Sequence, residues 1–230
     1  SAYNILEKLI EGLQKLPVDV QWVPDVLELA FSPPHPKSWN GMLMVGFRDP
    51  ALSVSMRLAK RTFDLLVTLV LLPLLLPLLA IVAVLIKITS QGPVIFKQTR
   101  VGENGHPFTM YKFRTMFMGA EDQFYEMLHK TEGGHYVYKT PNDPRVTPLG
   151  RWLRRYSIDE FPQLLNVLKG EMSLVGPRPE LPFFVDRYAA WQRKRFSVPP
   201  GMTGWWQVSG RSSLPMHKFV EYDLYYINNY

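Results

Sequence analysis

The chain has 230 residues, a net charge of +6 and no cysteine. That length allows one sizeable core, or a domain with an appendage, and the lack of thiols excludes disulfides and thiolate metal sites and points to a reducing compartment. The charge is uneven: residues 1–56 hold four Lys/Arg against six Asp/Glu, whereas residues 57–230 hold 22 against 14, so the second part favours an anionic partner (lipid headgroup, nucleotide or nucleic acid).

Residues 4–16 place Ile5, Leu9, Ile10, Leu13 and Leu16 at helical spacing, and Pro17 ends that helix. The opening is amphipathic, unlike a basic-then-apolar leader. Val18 to Val23 alternates weakly as a strand, Ser32-Pro33-Pro34-His35-Pro36 reads as a loop, and Met42 to Phe47 reads as a strand. Residues 1–50 are expected to be the end of an α/β module, too short to hold much core alone.

Leu65 to Ile86 is 22 residues without a charge, and a straight helix of that length measures about 33 Å, enough to cross a bilayer core. Pro73 and Pro77 stand in its middle, where each removes a backbone hydrogen bond and bends a helix. Arg57, Lys60 and Arg61 precede it and Lys87, Lys97 and Arg100 follow. A spanning helix keeps its basic residues on one side. Charge at both ends suits a re-entrant hairpin that returns to the same face, while a plain transmembrane helix or a buried core helix satisfies the length alone.

Beyond it, Gly92-Pro93 is a turn, and Val94 to Gln98 and Phe108 to Phe113 are strands around the Gly102–Pro107 loop. Glu121 to Lys130 is expected to be helical, Gly150 to Tyr156 a basic helical turn, and Phe161 to Leu168 a helix ended by Gly170. Phe183 to Arg195 reads as an amphipathic helix. Pro199-Pro200-Gly201 opens a loop through Trp205-Trp206 to Gly210, and Lys218 to Asn228 closes the chain as an aromatic-rich helix.

The adjacent carboxylates Asp159 and Glu160 stand just beyond Arg151, Arg154 and Arg155. Ser157 with Glu160 fits a capping box, which explains the acids without any chemistry. Pro162, however, is tolerated only in the first turn, which moves the helix start to Ile158 or Asp159 and both acids onto that turn. There a carboxylate can bind Mg²⁺ through oxygen, or attack phosphorus with its neighbour as base. In Gly176-Pro177-Arg178-Pro179, two prolines fix the backbone around one arginine, which suits bidentate phosphate recognition or stacking on a base; a rigid surface turn fits as well. Trp205 and Trp206 suit a lipid–water boundary, or an ordinary core loop. The histidines are scattered, and no HExxH, GxxxxGK[ST] or dinucleotide fingerprint occurs. Arg187 to Phe196 interleaves basic and aromatic residues without any nucleic-acid motif, so no nucleic-acid partner is expected.

From residue 57 onward the chain resembles the bacterial sugar transferases that are monotopic polyprenyl-phosphate phosphoglycosyl transferases. The resemblance is carried by Lys60-Arg61-Thr62-Phe63-Asp64, Gly92-Pro93-Val94-Ile95-Phe96-Lys97-Gln98, Tyr111-Lys112-Phe113-Arg114-Thr115-Met116, Asn142-Asp143-Pro144-Arg145-Val146-Thr147 and Ser157-Ile158-Asp159-Glu160. It continues through Asn166-Val167-Leu168-Lys169-Gly170, Met172-Ser173-Leu174-Val175-Gly176-Pro177-Arg178-Pro179, Pro200-Gly201-Met202-Thr203-Gly204 and Tyr222-Asp223-Leu224-Tyr225-Tyr226. It implies transfer of a phosphosugar from a UDP-sugar to undecaprenyl phosphate, with UMP released, at the start of capsule, exopolysaccharide or O-antigen synthesis. Asp159 then takes the nucleophile's place and binds Mg²⁺, and Glu160 acts as base. Arg154 and Arg178 meet phosphate and nucleotide, with Lys112, Arg114 and Arg145 as further contacts to the anionic substrates. The alternative is a membrane-anchored scaffold that keeps the fold without the chemistry.

The expected fold is α+β and mainly helical. A catalytic domain over 57–230 carries a re-entrant helix at about 62–88, kinked at Pro77 with Leu76 where the family often has serine, together with interfacial helices and a few short strands. Residues 1–56 precede it as the C-terminal part of a soluble α/β domain. The expected setting is the cytoplasmic face of a bacterial inner membrane, with membrane lipids and a second copy of the chain as partners.

Overall fold

A computed structural model of the protein describes residues 53–120, 143–209 and 216–229, together with the backbone of four short strands at 34–39, 42–47, 129–130 and 136–137. The chain divides into two compact units, Ser1–Arg48 and Asp49–Tyr230. In the first, β1 (Pro34–Trp39) pairs antiparallel with β2 (Met42–Phe47). The strand at Met42–Phe47 is as expected. Of the proline-rich loop expected over 32–36, residues 34–36 are instead part of β1, and a two-stranded ribbon has only edges, where proline is tolerated; residues 32–33 lie outside the described residues. The helix expected over 4–16 and the strand over 18–23 lie outside the described residues.

The second unit is mostly helical, with a few strands. Its longest element is α1 (Val54–Thr89), 36 residues capped by the Ser53 hydroxyl, and the backbone stays helical through Pro73 and Pro77. It is long and apolar enough to cross a membrane. Its buried side chains fall in two pairs, Asp64 with Thr68 and Val82 with Ile86, and no residue between 69 and 81 is buried.

Next comes the hairpin of β3 (Ile95–Val101) and β4 (Pro107–Phe113), paired Ile95 to Phe113 and Val101 to Pro107. Alternation along β4 serves two cores. Phe113 joins Val82 and Ile86 of α1, together with Leu153 and Ile158. Met110 packs with Val167 and Met172. Two short strands, β5 (His129–Lys130) and β6 (Tyr136–Val137), pair in the region expected to be helical up to Lys130; residues 121–128 lie outside the described residues.

Helix α2 (Pro148–Arg155) begins at Thr147, whose hydroxyl accepts from Gly150 N at 2.9 Å, and Pro148 fills the first turn, where its missing N–H costs nothing. A 3₁₀ turn over Ile158–Gln163 leads into α3 (Leu164–Lys169), which Gly170 closes in the left-handed conformation, as its place in the sequence predicts. Strand β7 (Ser173–Val175) pairs in parallel with β8 (Gly201–Thr203). Between them, the single helix expected over 183–195 is instead α4 (Pro182–Val185), α5 (Ala190–Arg193) and a 3₁₀ turn, Lys194–Ser197. Trp205–Val208 forms the short helix α6 where a loop was expected, and α7 (Met216–Asn228) ends the described chain.

Candidate active site

Asp159 and Glu160 sit on the 3₁₀ turn, immediately after Ser157, which adopts a left-handed backbone at φ 56°. That conformation is costly for a residue with a Cβ and turns the chain sharply off α2. The Ser157 hydroxyl makes no capping bond. The Glu160 carboxylate accepts from Lys112 Nζ at 2.8 Å and so joins β4. The capping box therefore does not form.

Asp159 is buried. Burial pushes its carboxyl above the usual range; the Lys112 charge pulls it back, Glu160 pushes it up and Arg154 pulls it down. Burial likewise draws Lys112 below the ordinary lysine range, against the attraction of Glu160, and the Arg178 charge adds to the fall. Arg154 donates from Nε to Thr115 Oγ1 at 2.9 Å, with Asp159 and Asp143 among the charges acting on it. Thr115 is in turn fixed, because its carbonyl accepts from Thr147 N at 3.0 Å and lies where a Cβ on Gly150 would be, 2.1 Å away.

Arg178 reaches the same place from β7. Its guanidinium lies 4.8 Å from the ring centre of Trp206, a cation–π contact. With Lys112, Glu160, Gln163 and Met202 it lines a cleft with about 10 Å³ of free space, room for one water-sized sphere. The loop that carries it depends on backbone contact. A Cβ on Gly176 would stand 2.6 Å from Pro199 O, one on Gly201 2.1 Å from Gly176 N, and one on Gly204 2.3 Å from Gly176 O. The Gly-Pro-Arg-Pro and Pro-Gly-Met-Thr-Gly segments are thus two halves of one structure, pressed together through glycine.

The structure brings Asp159 within reach of the charges of Lys112, Glu160 and Arg154, and Lys112 within reach of Arg178. Two other candidates are engaged in loop contacts, and of these Arg145 is close enough for its charge to act on Arg154. Arg114 donates to Ser90 O at 2.8 Å and Ser90 Oγ at 2.9 Å, tying the end of α1 to β4. Arg145 pairs with Asp143 at 2.7 Å and donates to Ala120 O. Both hold loops. Of the two tryptophans, Trp206 is buried beneath Arg178, whereas Trp205 is about half exposed and stacks on Tyr225. Pro73 and Pro77 are exposed on α1.

Beneath the Arg178 loop lies a buried cluster that sequence reasoning missed. Arg195 pairs with Asp223 and, at 3.8 Å, with Glu180; Arg100 meets Glu180 at 3.6 Å. Arg195 Nη2 donates to Arg178 O at 2.9 Å, and Arg100 Nη1 to Pro179 O at 3.2 Å. Burial pushes the Asp223 carboxyl up to about 6, against the pull of Arg195. The one local signal was Glu180, directly after the Pro-Arg-Pro segment.

For a cation, Asp159 and Glu160 supply two neighbouring carboxylates, and no three His, Asp or Glu side chains converge among the described residues. Glu160 is already paired with Lys112, which leaves Asp159 as the carboxylate that a Mg²⁺ ion, taking one or two carboxylates with water and substrate phosphate, would meet.

The profile of the family described as "Bacterial sugar transferase" matches residues 55–230. The UDP-glucose:undecaprenyl-phosphate glucose-1-phosphate transferase of Escherichia coli (strain K12) is 37% identical over 98% of this chain and 48% of its own. The undecaprenyl-phosphate galactose phosphotransferase of Salmonella typhimurium is 40% identical over 76% of this chain and 38% of its own. The sugar transferase EpsL of Bacillus subtilis, of uncharacterised function, is 40% identical over 74% of this chain and 78% of its own. The chain spans about half the length of the first of these relatives, and the matched region contains the whole Asp159 cluster. By that match the chain belongs to the bacterial sugar transferase family.

Proposed function

We propose that the protein transfers a phosphosugar from a UDP-sugar to undecaprenyl phosphate at the cytoplasmic face of a bacterial inner membrane, starting a capsule, exopolysaccharide or O-antigen unit. The observation that carries this reading is the buried Asp159 carboxyl, on which the charges of Lys112, Glu160 and Arg154 act, with Arg178 acting in turn on Lys112. A buried carboxylate is a poorly solvated nucleophile, and the cations beside it, Lys112 and Arg154, offset the charge of an incoming diphosphate.

An Asp159 oxygen attacks the β-phosphorus of the donor. A P–O bond forms, the bond to the α-phosphate breaks, and UMP departs with its electron pair. Undecaprenyl phosphate then attacks the same phosphorus and displaces the Asp159 carboxylate, giving undecaprenyl-diphosphate-sugar. Glu160 takes any proton the lipid phosphate still carries. Asp159 is the residue that would hold Mg²⁺, whose charge would neutralise the diphosphate.

The membrane reading follows from α1. Both of its ends pack on the catalytic unit, and the stretch between them is apolar, exposed and marked by two prolines. That supports a hairpin which dips into one leaflet and returns. A second copy of the chain is part of the proposal as a partner.

The test supplies the protein in detergent or nanodiscs with Mg²⁺, undecaprenyl phosphate and a panel of UDP-sugars, and follows UMP. Lipid-dependent UMP from one donor, lost in Asp159→Asn, supports the reading. UMP release that persists in Asp159→Asn removes the nucleophile assignment, and no UMP from any donor favours the scaffold.

A further inference from the structure

A carboxylate in a membrane-bound helix is costly to bury, and Asp64 is 2% exposed, at the last position before the uncharged run of α1. Its partners explain how it is tolerated. Ser173 Oγ donates to Oδ2 at 2.7 Å, Leu174 N to Oδ1 at 3.3 Å, and Lys60 Nζ to Oδ1 at 3.3 Å. Two of these three donors belong to β7, 109 and 110 residues further along the chain. One turn earlier on α1, Arg61 donates to Val167 O and, at 2.9 Å, to Leu168 O, closing the end of α3.

Strand β7 leads directly into Gly176-Pro177-Arg178-Pro179. That segment is therefore fixed from two directions. Arg195 and Arg100 hold the carbonyls of Arg178 and Pro179, and Asp64 holds the strand that enters. Only the second anchor is on the membrane helix. An apolar contact would join α1 to β7 with no desolvation cost, but it would not fix the strand's register. A carboxylate that takes one backbone N–H and one neighbouring hydroxyl does.

We infer that Asp64 is a positioning residue for Arg178, through which the seating of the membrane helix sets the place of the guanidinium at the cleft. The inference rests on the reading of Arg178 as a contact of the donor nucleotide. In Asp64→Asn the side chain keeps its shape but loses its charge, and only its amide oxygen can still accept, so one of the two acceptor positions is lost. KM for the UDP-sugar is expected to rise about tenfold, the scale of one charge-assisted hydrogen bond, with kcat within about threefold. Ser173→Ala removes one donor without touching the charge, and is expected to act in the same direction with a smaller effect.

The deciding experiment is a double-mutant cycle with Arg178→Ala, joined to hydrogen exchange over residues 173–178. If Asp64 acts through Arg178, Asp64→Asn adds less than about twofold in the Arg178→Ala background, and exchange quickens in 173–178 while vesicle binding is unchanged. Effects that multiply in the double variant, or quickened exchange spread evenly over α1 and α3, overturn the inference. If Asp64→Asn does not fold, Ser173→Ala carries the same cycle. If the unmodified protein releases no UMP from any donor, the proposed function falls, and UDP affinity by calorimetry with the exchange data still decides the role of Asp64.

Discussion

Asp159 and Lys112 constrain each other's proton, which makes the site's chemistry readable as pH dependence. Asp159 takes up its proton at higher pH than an exposed aspartate, since burial disfavours its charge. The acid limb of kcat/KM should therefore lie above the ordinary carboxylate range. Lys112 holds that limb down, so Lys112→Met should move it further up as well as reducing activity. Lys112 titrates below the usual lysine range, and the alkaline limb should arrive correspondingly early. A pH series of kcat/KM on the two proteins checks both limbs. The same shift bears on stability. A carboxyl whose folded pKa is raised favours the fold while protonated, and that contribution is lost as pH rises through the folded value. At neutral pH ionised Asp159 is thus a cost to the fold. Asp159→Asn should raise the thermal midpoint at pH 7 while abolishing turnover, and the gain should shrink when the scan is repeated below the ordinary carboxylate range.

Each element of the site is held by a contact that a single substitution tests. Leu153 of α2 is fully buried between α1 and the 3₁₀ turn, and Leu153→Ala should cost about 3 kcal/mol by leaving a cavity there. Gly176→Ala places a methyl against the Pro199 carbonyl and should destabilise by more than about 2 kcal/mol, because backbone cannot give way as a side-chain end can. Denaturant titration measures both. These elements differ in how far the sequence announced them. The β3–β4 hairpin, α2 and the Gly170 stop carry their own signals: alternation, a capping threonine before proline, a glycine after the last apolar residue. The segment 183–195 does not. Its amphipathic pattern reads as one helix with Arg195 on a solvated face, yet Arg195 is 2% exposed and paired with Asp223, 28 residues later. Periodicity records only neighbours along the chain, and a partner that distant overrides it. The turn that carries Asp159 and Glu160 begins at Ile158, one of the two starts expected, but it is a 3₁₀ turn with Pro162 at its fifth position, beyond the first turn on which the expectation relied. The structural duties of Arg114 and Arg145 were not legible, since an arginine that binds carbonyls has the same local sequence as one that binds phosphate.

At the scale of the molecule, one helix decides how the protein meets its surroundings. If α1 dips and returns, both of its ends lie on one side of a bilayer. The chain has no cysteine, so single thiols at Ser55→Cys and Gln91→Cys, both exposed positions, report this directly. Both should react with a membrane-impermeant maleimide from the cytoplasmic side of oriented vesicles; labelling from opposite sides would make α1 a span. The exposed stretch 69–81 has a further consequence for solution work. Leu69, Val70, Leu74, Leu76 and Ile81 are each more than half exposed, and in water such a surface is removed most readily by meeting its own copy. Particle size measured near the critical micelle concentration will then report the solvent as much as the protein. An oligomer that belongs to the molecule is the one whose mass stays constant as detergent is raised.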